Sequence, residues 1–284
     1  MTDANAHDAE VLSTPFSRRG ALALLGGLGL AVAGCSGGSD SSRATATTKG
    51  ASSSTSTTAG ATTTTTGAAA ATVTDCTIIP EETAGPYPGD GSNGPDVLSE
   101  SGVVRKDITT SFDGKSGTAE GVPYTIQFTV VDVDKGCTPL AGAAVYAWHC
   151  DRDGNYSMYT ASQANYLRGV QEVDPNGVAT FTSIFPACYS GRWPHVHFEI
   201  YPSVSDATNA TNKLVTSQLA LPKDTCDAVY ATSGYEQSVS NLSRVSLSSD
   251  MVFSDGVSLQ TPSMTGNVSN GYVSSLVVGV PGSV

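Results

Sequence analysis

The chain has 284 residues, of which only 14% are charged, and 26 acidic side chains against 14 lysines and arginines give it a net charge of −12. This balance excludes a nucleic-acid partner, because phosphate binding needs a basic patch. No apolar stretch reaches the length of about 18 residues that a membrane-spanning helix needs, so a multipass membrane protein is excluded as well.

The N-terminal part of the chain predicts export. Arg18 and Arg19 precede an uncharged, mainly apolar run over residues 21–34, which is the order of a signal peptide. The paired arginines resemble a twin-arginine export signal, and the sequence VAGC that ends at Cys35 resembles a bacterial lipobox. We therefore predict a signal peptide over residues 1–35 whose last cysteine is lipidated. The alternative is a short buried helix with a chance cysteine.

A low-complexity segment follows the predicted signal. Residues 36–72 are almost entirely Ser, Gly, Thr and Ala, a composition that cannot fill a hydrophobic core. We expect this segment to be a disordered linker. It would hold a folded domain over residues 73–284 away from the outer face of a bacterial cell membrane, or from the cell surface, with the lipid on Cys35 as the only membrane contact.

The remaining residues predict an all-β domain with long loops and little helix. Residues 124–133 (YTIQFTVVDV) alternate apolar and polar side chains, as a half-buried strand does. Further strands are predicted over residues 143–149, 177–184, 195–201, 213–221, 242–247 and 274–280. Only residues 224–232 have a helical pattern. Strands separated by turns, with so little helix, favour a β-sandwich.

The cysteines favour an oxidising compartment. If Cys35 carries lipid, five cysteines remain, and an odd number leaves at least one unpaired within the chain. These five are Cys76, Cys137, Cys150, Cys188 and Cys226. We expect two disulfides among them, in a pairing that the sequence does not define. A thiolate metal site is disfavoured because no two of them have the close spacing of zinc ligands.

The segment YSGRWPHVH contains the most informative motif. His195 and His197 are two residues apart on a predicted strand, so both imidazoles point to one face and can bind one metal ion. Their placement on a solvated face is the alternative. Tyr189 lies six residues upstream, and a Gly-containing loop after the strand at residues 143–149 can deliver Tyr156. Two phenolates and two imidazoles would favour Fe(III) over Zn(II).

These segments resemble the intradiol ring-cleavage dioxygenases, the catechol and protocatechuate 3,4-dioxygenase family. The similarity lies in WHCDRDGNYS, in NYLRGVQEVDPNGVATFTSIFPACYSGRWPHVHFEI, and in ETAGPY ahead of the first strand, and it covers roughly residues 76–221. The resemblance implies a β-sandwich core with one mononuclear non-haem Fe(III) and no organic cofactor. It also identifies the two tyrosines among the 11 in the chain, a choice that the residues alone do not allow.

Site residues are carried over from the family by position. The resemblance makes Tyr156, Tyr189, His195 and His197 the iron ligands. It makes Arg192 the catalytic arginine and Gln218 a catalytic glutamine of the pocket, and it places the substrate against Gly85, Pro86, Tyr87 and Trp193. His149 and Trp148, at a strand end, are expected to be structural.

The resemblance implies that a small aromatic diol and O₂ react to give a cis,cis-muconate-type diacid. A disordered linker stands where cytosolic catechol dioxygenases carry a helical dimerisation segment, so the oligomeric state is left open. Two alternatives come from other classes of protein. One is a non-catalytic surface β-sandwich that binds aromatics or carbohydrate and has a vestigial metal site. The other is a zinc-binding module built on His195 and His197.

Overall fold

A computed structural model describes residues 73–74 and 76–282. The predicted signal peptide over residues 1–35, with Cys35, and the predicted linker over residues 36–72 lie outside the described residues. Within the part that is described, no helix combines the length and the apolar character needed to cross a membrane.

The described residues form nine β-strands and two short α-helices. The strands are β1 (Pro123–Asp132), β2 (Thr138–Pro139), β3 (Ala144–Trp148), β4 (Arg168–Glu172), β5 (Val178–Ile184), β6 (His195–Tyr201), β7 (Val215–Ala220), β8 (Ser263–Asn267) and β9 (Gly271–Val280). The helices are α1 (Lys223–Tyr230) and α2 (Glu236–Leu242).

The strands make two sheets. The first sheet has the order β2-β1-β9-β8, with β5 also paired to β1, and the second has the order β4-β3-β6-β7. Neighbouring strands are antiparallel except β1 and β9, which run parallel. The predicted all-β sandwich is confirmed.

The hydrophobic core lies between the two sheets. In β1 the apolar side chains of Ile126, Phe128 and Val130 are fully buried, and the residues between them are only partly so. The Phe128 ring meets the ring of Phe198 from the second sheet, with centroids 4.7 Å apart. Because each fully buried apolar side chain contributes about 1.5–3 kcal/mol, this interdigitation holds the two layers together.

The second sheet is buried on both faces. All seven residues of β6 are buried. Val196, Phe198 and Ile200 belong to the core between the sheets, whereas Tyr201 belongs to a second cluster that also contains Tyr146 of β3. This outer face of the second sheet is therefore covered by loops rather than by water, and it carries the odd-numbered residues of β6.

Most predicted elements agree with the structure to within three residues at either end, including helix α1. The strand predicted over residues 242–247 is wrong. Leu242 is instead the last residue of α2, and a one-turn 3₁₀ helix follows at Leu247–Ser249. Leu242 and Val245 both reach the core, and their spacing of three suits a helix better than a strand. The sequence analysis missed β2, β4 and β8.

The expectation of two disulfides is wrong for the described residues, which contain one. Cys76 is bonded to Cys137, which ties the start of the domain to the turn between β1 and β2. Cys150, Cys188 and Cys226 are free and buried. Their thiols are packed within apolar clusters. The thiols of Cys150, Cys188 and Cys226 contact the backbone carbonyls of Ala187, Arg192 and Leu221, respectively. These cysteines therefore serve as small core residues.

We expect reduction of this disulfide to destabilise the domain. Cys76 and Cys137 are 61 residues apart, and closing a loop of that length is worth up to about 4 kcal/mol in the chain-entropy model. Urea denaturation with and without a reducing agent should therefore show a lower free energy of unfolding for the reduced protein. In Cys76→Ser the reducing agent should have no further effect. A wild-type protein that is insensitive to reduction would contradict the expectation.

Candidate metal centre

Two histidines of β6 form one half of the candidate site. His195 and His197 are separated by one residue of a strand, so both side chains point to the outer face of the second sheet. Both are almost completely buried, and their Nε2 atoms lie 3.1 Å apart. The strand therefore presents two imidazole nitrogens to one point.

Two loops bring tyrosines to the same point. Tyr156 lies in the loop after β3, and Tyr189 lies in the segment that leads into β6. The loops approach each other closely at Gly154, where a Cβ atom would lie 3.1 Å from Cβ of Tyr189. Gly154 also has a φ of 86°, which L side chains rarely adopt. A glycine two residues before Tyr156 is thus required for both the turn and the close approach.

The four polar atoms of these side chains form one compact cluster. The Tyr189 hydroxyl lies 3.2 Å from His195 Nε2, and the Tyr156 hydroxyl lies 3.5 Å from both the Tyr189 hydroxyl and His195 Nε2. His197 Nε2 completes the group at 3.1 Å from His195 Nε2. The structure thus brings together the four residues that the resemblance identifies as ligands.

These spacings fit a single metal ion. Donor atoms bound at about 2.0–2.1 Å from one metal, with angles of about 90–120° between the bonds, lie about 2.8–3.6 Å from one another. In the described part of the chain, no group of three or more His, Cys, Asp or Glu side chains is arranged to hold a metal. A metal here would therefore need the tyrosines as ligands. Hard phenolate oxygens favour a hard, highly charged cation.

Hydrogen bonding and burial prepare the histidines for metal binding. His195 Nδ1 lies against the carbonyl oxygen of Trp193, so that nitrogen carries the proton and Nε2 offers its lone pair to the cluster. The His197 ring stacks on the indole of Trp148, with centroids 4.8 Å apart and planes 5° apart. Burial and the charge of Arg192 lower the pKa of both histidines, and the neighbouring His195 lowers that of His197 further. Both imidazoles are therefore neutral at pH 7.

The tyrosines are buried phenols. Burial raises the pKa of Tyr156 well above its usual value, and the neighbouring Tyr189 raises it further. Burial also raises the pKa of Tyr189, although the positive charge of Arg192 opposes the effect. Without a cation both side chains keep their protons at pH 7, and a bound metal ion would supply the charge that ionises them.

One cross-strand row passes through the site. Strand register places Arg168 of β4 beside Trp148 of β3, Trp148 beside His197 of β6, and His197 beside Gln218 of β7. The Gln218 amide then accepts a hydrogen bond of 2.7 Å from Arg192 and donates one of 2.8 Å to the carbonyl oxygen of Thr83. Gln218 therefore lies next to both a proposed ligand and the proposed catalytic arginine.

Arg192 is held in place by a fully buried carboxylate. Its Nε donates to Asp250 at 3.0 Å, and the same carboxylate accepts the backbone N–H groups of Trp193, Val252 and Phe253. Within the described residues, Nη1 of Arg192 donates to no protein atom. The side chain is 11% exposed. Arg192 is thus anchored at one edge of its guanidinium and has a free donor at the other.

The proposed pocket residues fall into two groups. A Cβ atom on Gly85 would lie 3.5 Å from Cε1 of His197, and the Tyr87 ring lies 4.9 Å from that of Tyr156, so the segment through Pro86 passes over the site. The Trp193 side chain, which was expected to contact the substrate, lies elsewhere. It is packed in the core and donates its indole N–H to the carbonyl oxygen of Leu221.

The sequence analysis missed one residue that organises the site. Asp250 lies 58 residues beyond Arg192 in a segment with no recognisable motif, so no local signal points to it. Trp148, which was expected to be structural, lies with its ring against the His197 imidazole. His149 is structural, as expected, because its two ring nitrogens bind the Cys150 carbonyl and the Ser183 hydroxyl, each at 2.7 Å.

Comparisons with known proteins identify the family that the chain resembles. A family model described as Dioxygenase matches residues 93–193, a range that includes Tyr156, Tyr189 and Arg192. The intradiol ring-cleavage dioxygenase from Tetranychus urticae is similar in structure, with 24% identity, a TM-score of 0.57, and coverage of 72% of this chain and 95% of its own. The resemblance to the intradiol ring-cleavage dioxygenases is confirmed.

A second solved structure is similar at a lower level. It is the dioxygenase domain of a dioxygenase carbohydrate-binding protein fusion from the cellulolytic bacterium Streptomyces sp. SirexAA-E, with 19% identity, a TM-score of 0.48, and coverage of 73% of this chain and 100% of its own. No curated protein matches the chain. The family as a whole consists of oxidoreductases that cleave catechol-type substrates with O₂, generally at a non-haem Fe(III).

We expect the stability of the domain to depend on the carboxylate of Asp250. The pKa of Asp250 is lowered. Burial alone would raise it, but the charge of Arg192 and the backbone N–H groups that donate to the carboxylate outweigh burial. A lowered folded-state pKa contributes stability above the unfolded value of about 3.9, and this stability is lost as the pH falls through the folded pKa. Asp250→Asn leaves Arg192 without its partner and should cost about 3–5 kcal/mol at pH 7.

Urea denaturation at pH 7 and at pH 3 measures this effect. The difference in unfolding free energy between the wild-type and Asp250→Asn should be larger at pH 7 than at pH 3. Asp227→Asn is the matched control, because Asp227 pairs with Lys223 on the exposed face of α1 and should contribute less than about 1 kcal/mol. Equal effects of the two substitutions would refute the role of Asp250.

Proposed function

We propose that the chain is an intradiol dioxygenase that cleaves catechol-type aromatics with O₂ at one mononuclear non-haem Fe(III). The convergence of the polar atoms of Tyr156, Tyr189, His195 and His197 beside Arg192 carries this proposal. The family resemblance and the sandwich fold support the same reaction class. The proposed products are cis,cis-muconate-type diacids.

The four side chains would hold the iron. Two phenolates cancel two of the three positive charges of Fe(III), and two neutral imidazoles complete a donor set that suits a hard cation. When bound, the iron would orient the catechol through its two oxygens and accept electron density from the ring. Zinc sites use Cys, His and carboxylate ligands, so the two tyrosines disfavour a zinc-binding module.

The chain's own residues would orient the substrate and manage its charge. The charge of Arg192 acts on both tyrosines, and its free Nη1 is a donor that can stabilise negative charge that develops on the ring. Gln218 and Asp250 fix the orientation of this guanidinium, so no reorganisation is needed during the reaction. The proposed acceptor of a proton from the catechol is the Tyr189 oxygen, which a bound metal ion would keep ionised, because the Tyr189 side chain is less buried than that of Tyr156.

The segment that carries Gly85, Pro86 and Tyr87 would form one wall of the substrate pocket and exclude water from it. Gly85 leaves space beside His197, and the Tyr87 ring packs on Tyr156. Water exclusion strengthens each electrostatic interaction inside the site. We also propose export and lipid anchoring at Cys35, which would place the reaction outside the cell membrane.

We expect the purified, iron-loaded protein to have a visible absorption band from phenolate-to-Fe(III) charge transfer. Anaerobic addition of catechol should shift the band. When O₂ is then admitted, one O₂ should be consumed per catechol, and a muconate-type product should form. Tyr156→Phe should weaken the band because one of the two phenolates is lost.

Tyr159→Phe is the matched control. Tyr159 lies in the same loop as Tyr156, but its hydroxyl donates to Asn93 and accepts the N–H of Gly89 instead of joining the cluster. This variant should keep the band. A colourless protein that takes up no iron would reject the enzyme and favour the non-catalytic sandwich. Uptake of zinc alone, unaffected by Tyr156→Phe and Tyr189→Phe, would favour the zinc module.

We expect Arg192→Lys to lower kcat more than it raises KM. Lysine keeps the positive charge, but it cannot bind Asp250 and Gln218 while also presenting a fixed donor to the substrate. Loss of one preorganised donor typically costs about 10²–10³-fold in kcat. Steady-state kinetics with catechol measure the two constants separately. An unchanged kcat with a raised KM would show that Arg192 only binds the substrate.

A further inference from the structure

A second arginine lies on the opposite side of the site from Arg192. Arg168 is the first residue of β4 and is 1% exposed, which is rare for a charged side chain. Its guanidinium has five N–H groups, and it makes five hydrogen bonds to protein atoms: one from Nε, two from Nη1 and two from Nη2. No carboxylate is among the acceptors. This arginine therefore makes all of these hydrogen bonds to neutral carbonyl and hydroxyl oxygens of the protein.

Four of the five hydrogen bonds go to the two segments that flank Tyr156. Nε and Nη2 donate to the hydroxyl and the carbonyl oxygen of Ser157, each at 3.0 Å. Nη2 also donates to the carbonyl oxygen of Tyr87 at 2.9 Å, and Nη1 donates to that of Pro88 at 2.7 Å. One guanidinium thus joins the residue that follows Tyr156 to the segment that packs on Tyr156.

The fifth hydrogen bond joins both segments to the sheet. Nη1 of Arg168 lies 3.1 Å from the Tyr146 hydroxyl, which itself donates to the Pro88 carbonyl at 2.7 Å. Tyr146 stacks on Trp148, the residue whose indole lies against His197. The loop that bears Tyr156 and the strand that bears the histidines are therefore connected through Arg168.

We propose that Arg168 is a positioning residue for the candidate metal centre: it fixes Tyr156, and the Tyr87 segment above it, relative to the histidines of β6. This inference rests on the proposed function in so far as Tyr156 is an iron ligand. A planar group with five donors in fixed directions is needed here, and lysine has only three donors on one atom. Gly89 lies so close that a Cβ atom there would be 2.8 Å from Nη1, so the space is shaped around the guanidinium.

The test compares Arg168→Lys with Arg105→Lys. Arg105 also donates to backbone carbonyls, including that of Arg168 itself, but it contacts neither the Tyr87 segment nor Ser157. The first readout needs no iron. Hydrogen exchange of the metal-free protein should be at least tenfold faster for peptides over residues 85–90 and 156–159 in Arg168→Lys, with β1 unchanged. Arg105→Lys should change these peptides less than twofold.

The second readout is the iron site itself. In Arg168→Lys the charge-transfer band should shift and a chelator should remove iron at least tenfold faster, while Arg105→Lys should match the wild-type. If Arg168→Lys does not fold, Ser157→Ala removes one acceptor of the guanidinium and should give smaller changes in the same direction.

The outcomes separate the two proposals. A wild-type protein that binds no iron rejects the proposed function, and the exchange rates then still decide whether Arg168 fixes the two segments. A wild-type protein that binds iron, together with an Arg168→Lys variant that has wild-type exchange, band and iron release, overturns the positioning role. Equal effects of the two lysine substitutions also overturn it, because they would show general destabilisation.

Discussion

The pairing register of the second sheet is the constraint on which the candidate site depends. It aligns Arg168, Trp148, His197 and Gln218 in one row across four strands. Because side chains alternate along a strand, a shift of one residue in β6 would turn both histidines into the core between the sheets. Val196, Phe198 and Ile200 prevent that shift, since they fill the core side of the same strand. Core packing therefore fixes the position of the face that carries the candidate metal ligands.

The outer face of this sheet is buried as well, and its polar groups must find partners inside the protein. The carboxylate of Glu199, next to His197 on the same face, accepts hydrogen bonds from Tyr201, Lys213 and Thr216. The buried carboxylate of Asp250 likewise accepts hydrogen bonds from Arg192 and from backbone N–H groups. Buried polar groups cost free energy unless they are paired, so these networks specify a single arrangement of the loops. The site gains its rigidity from hydrogen bonds where the core gains it from apolar contacts.

The sequence predicted those parts of the site that follow from local pattern. An H-x-H motif on an alternating strand is sufficient to place His195 and His197 on one face. Tyr156 and Tyr189 came only from the family resemblance, because nothing local distinguishes them from the other tyrosines. Asp250 lies 58 residues from its partner and gave no signal at all.

The errors in the fold have similar causes. Strand β4 was missed because its sequence, RGVQE, is polar, and it is a strand through pairing with β3 rather than through its own pattern. Residues 242–247 were predicted as a strand, but Leu242 contacts the core as the last residue of α2 and Val245 contacts it from the turn that follows. In both cases tertiary contacts override the local preference.

The protonation state of the four side chains explains how such a site can be stable before it binds a metal. Burial keeps both imidazoles neutral and both phenols protonated, so the empty cluster contains no like charges in close contact. Binding of a trivalent cation by two phenolates must then release two protons. In the proposed enzyme, the charge that burial excludes from the empty protein would arrive only with the metal, and the two phenolates would leave one net positive charge at the centre. A catechol that loses its protons on binding would be stabilised by that charge, and the anchored Arg192 would add a second positive charge beside it.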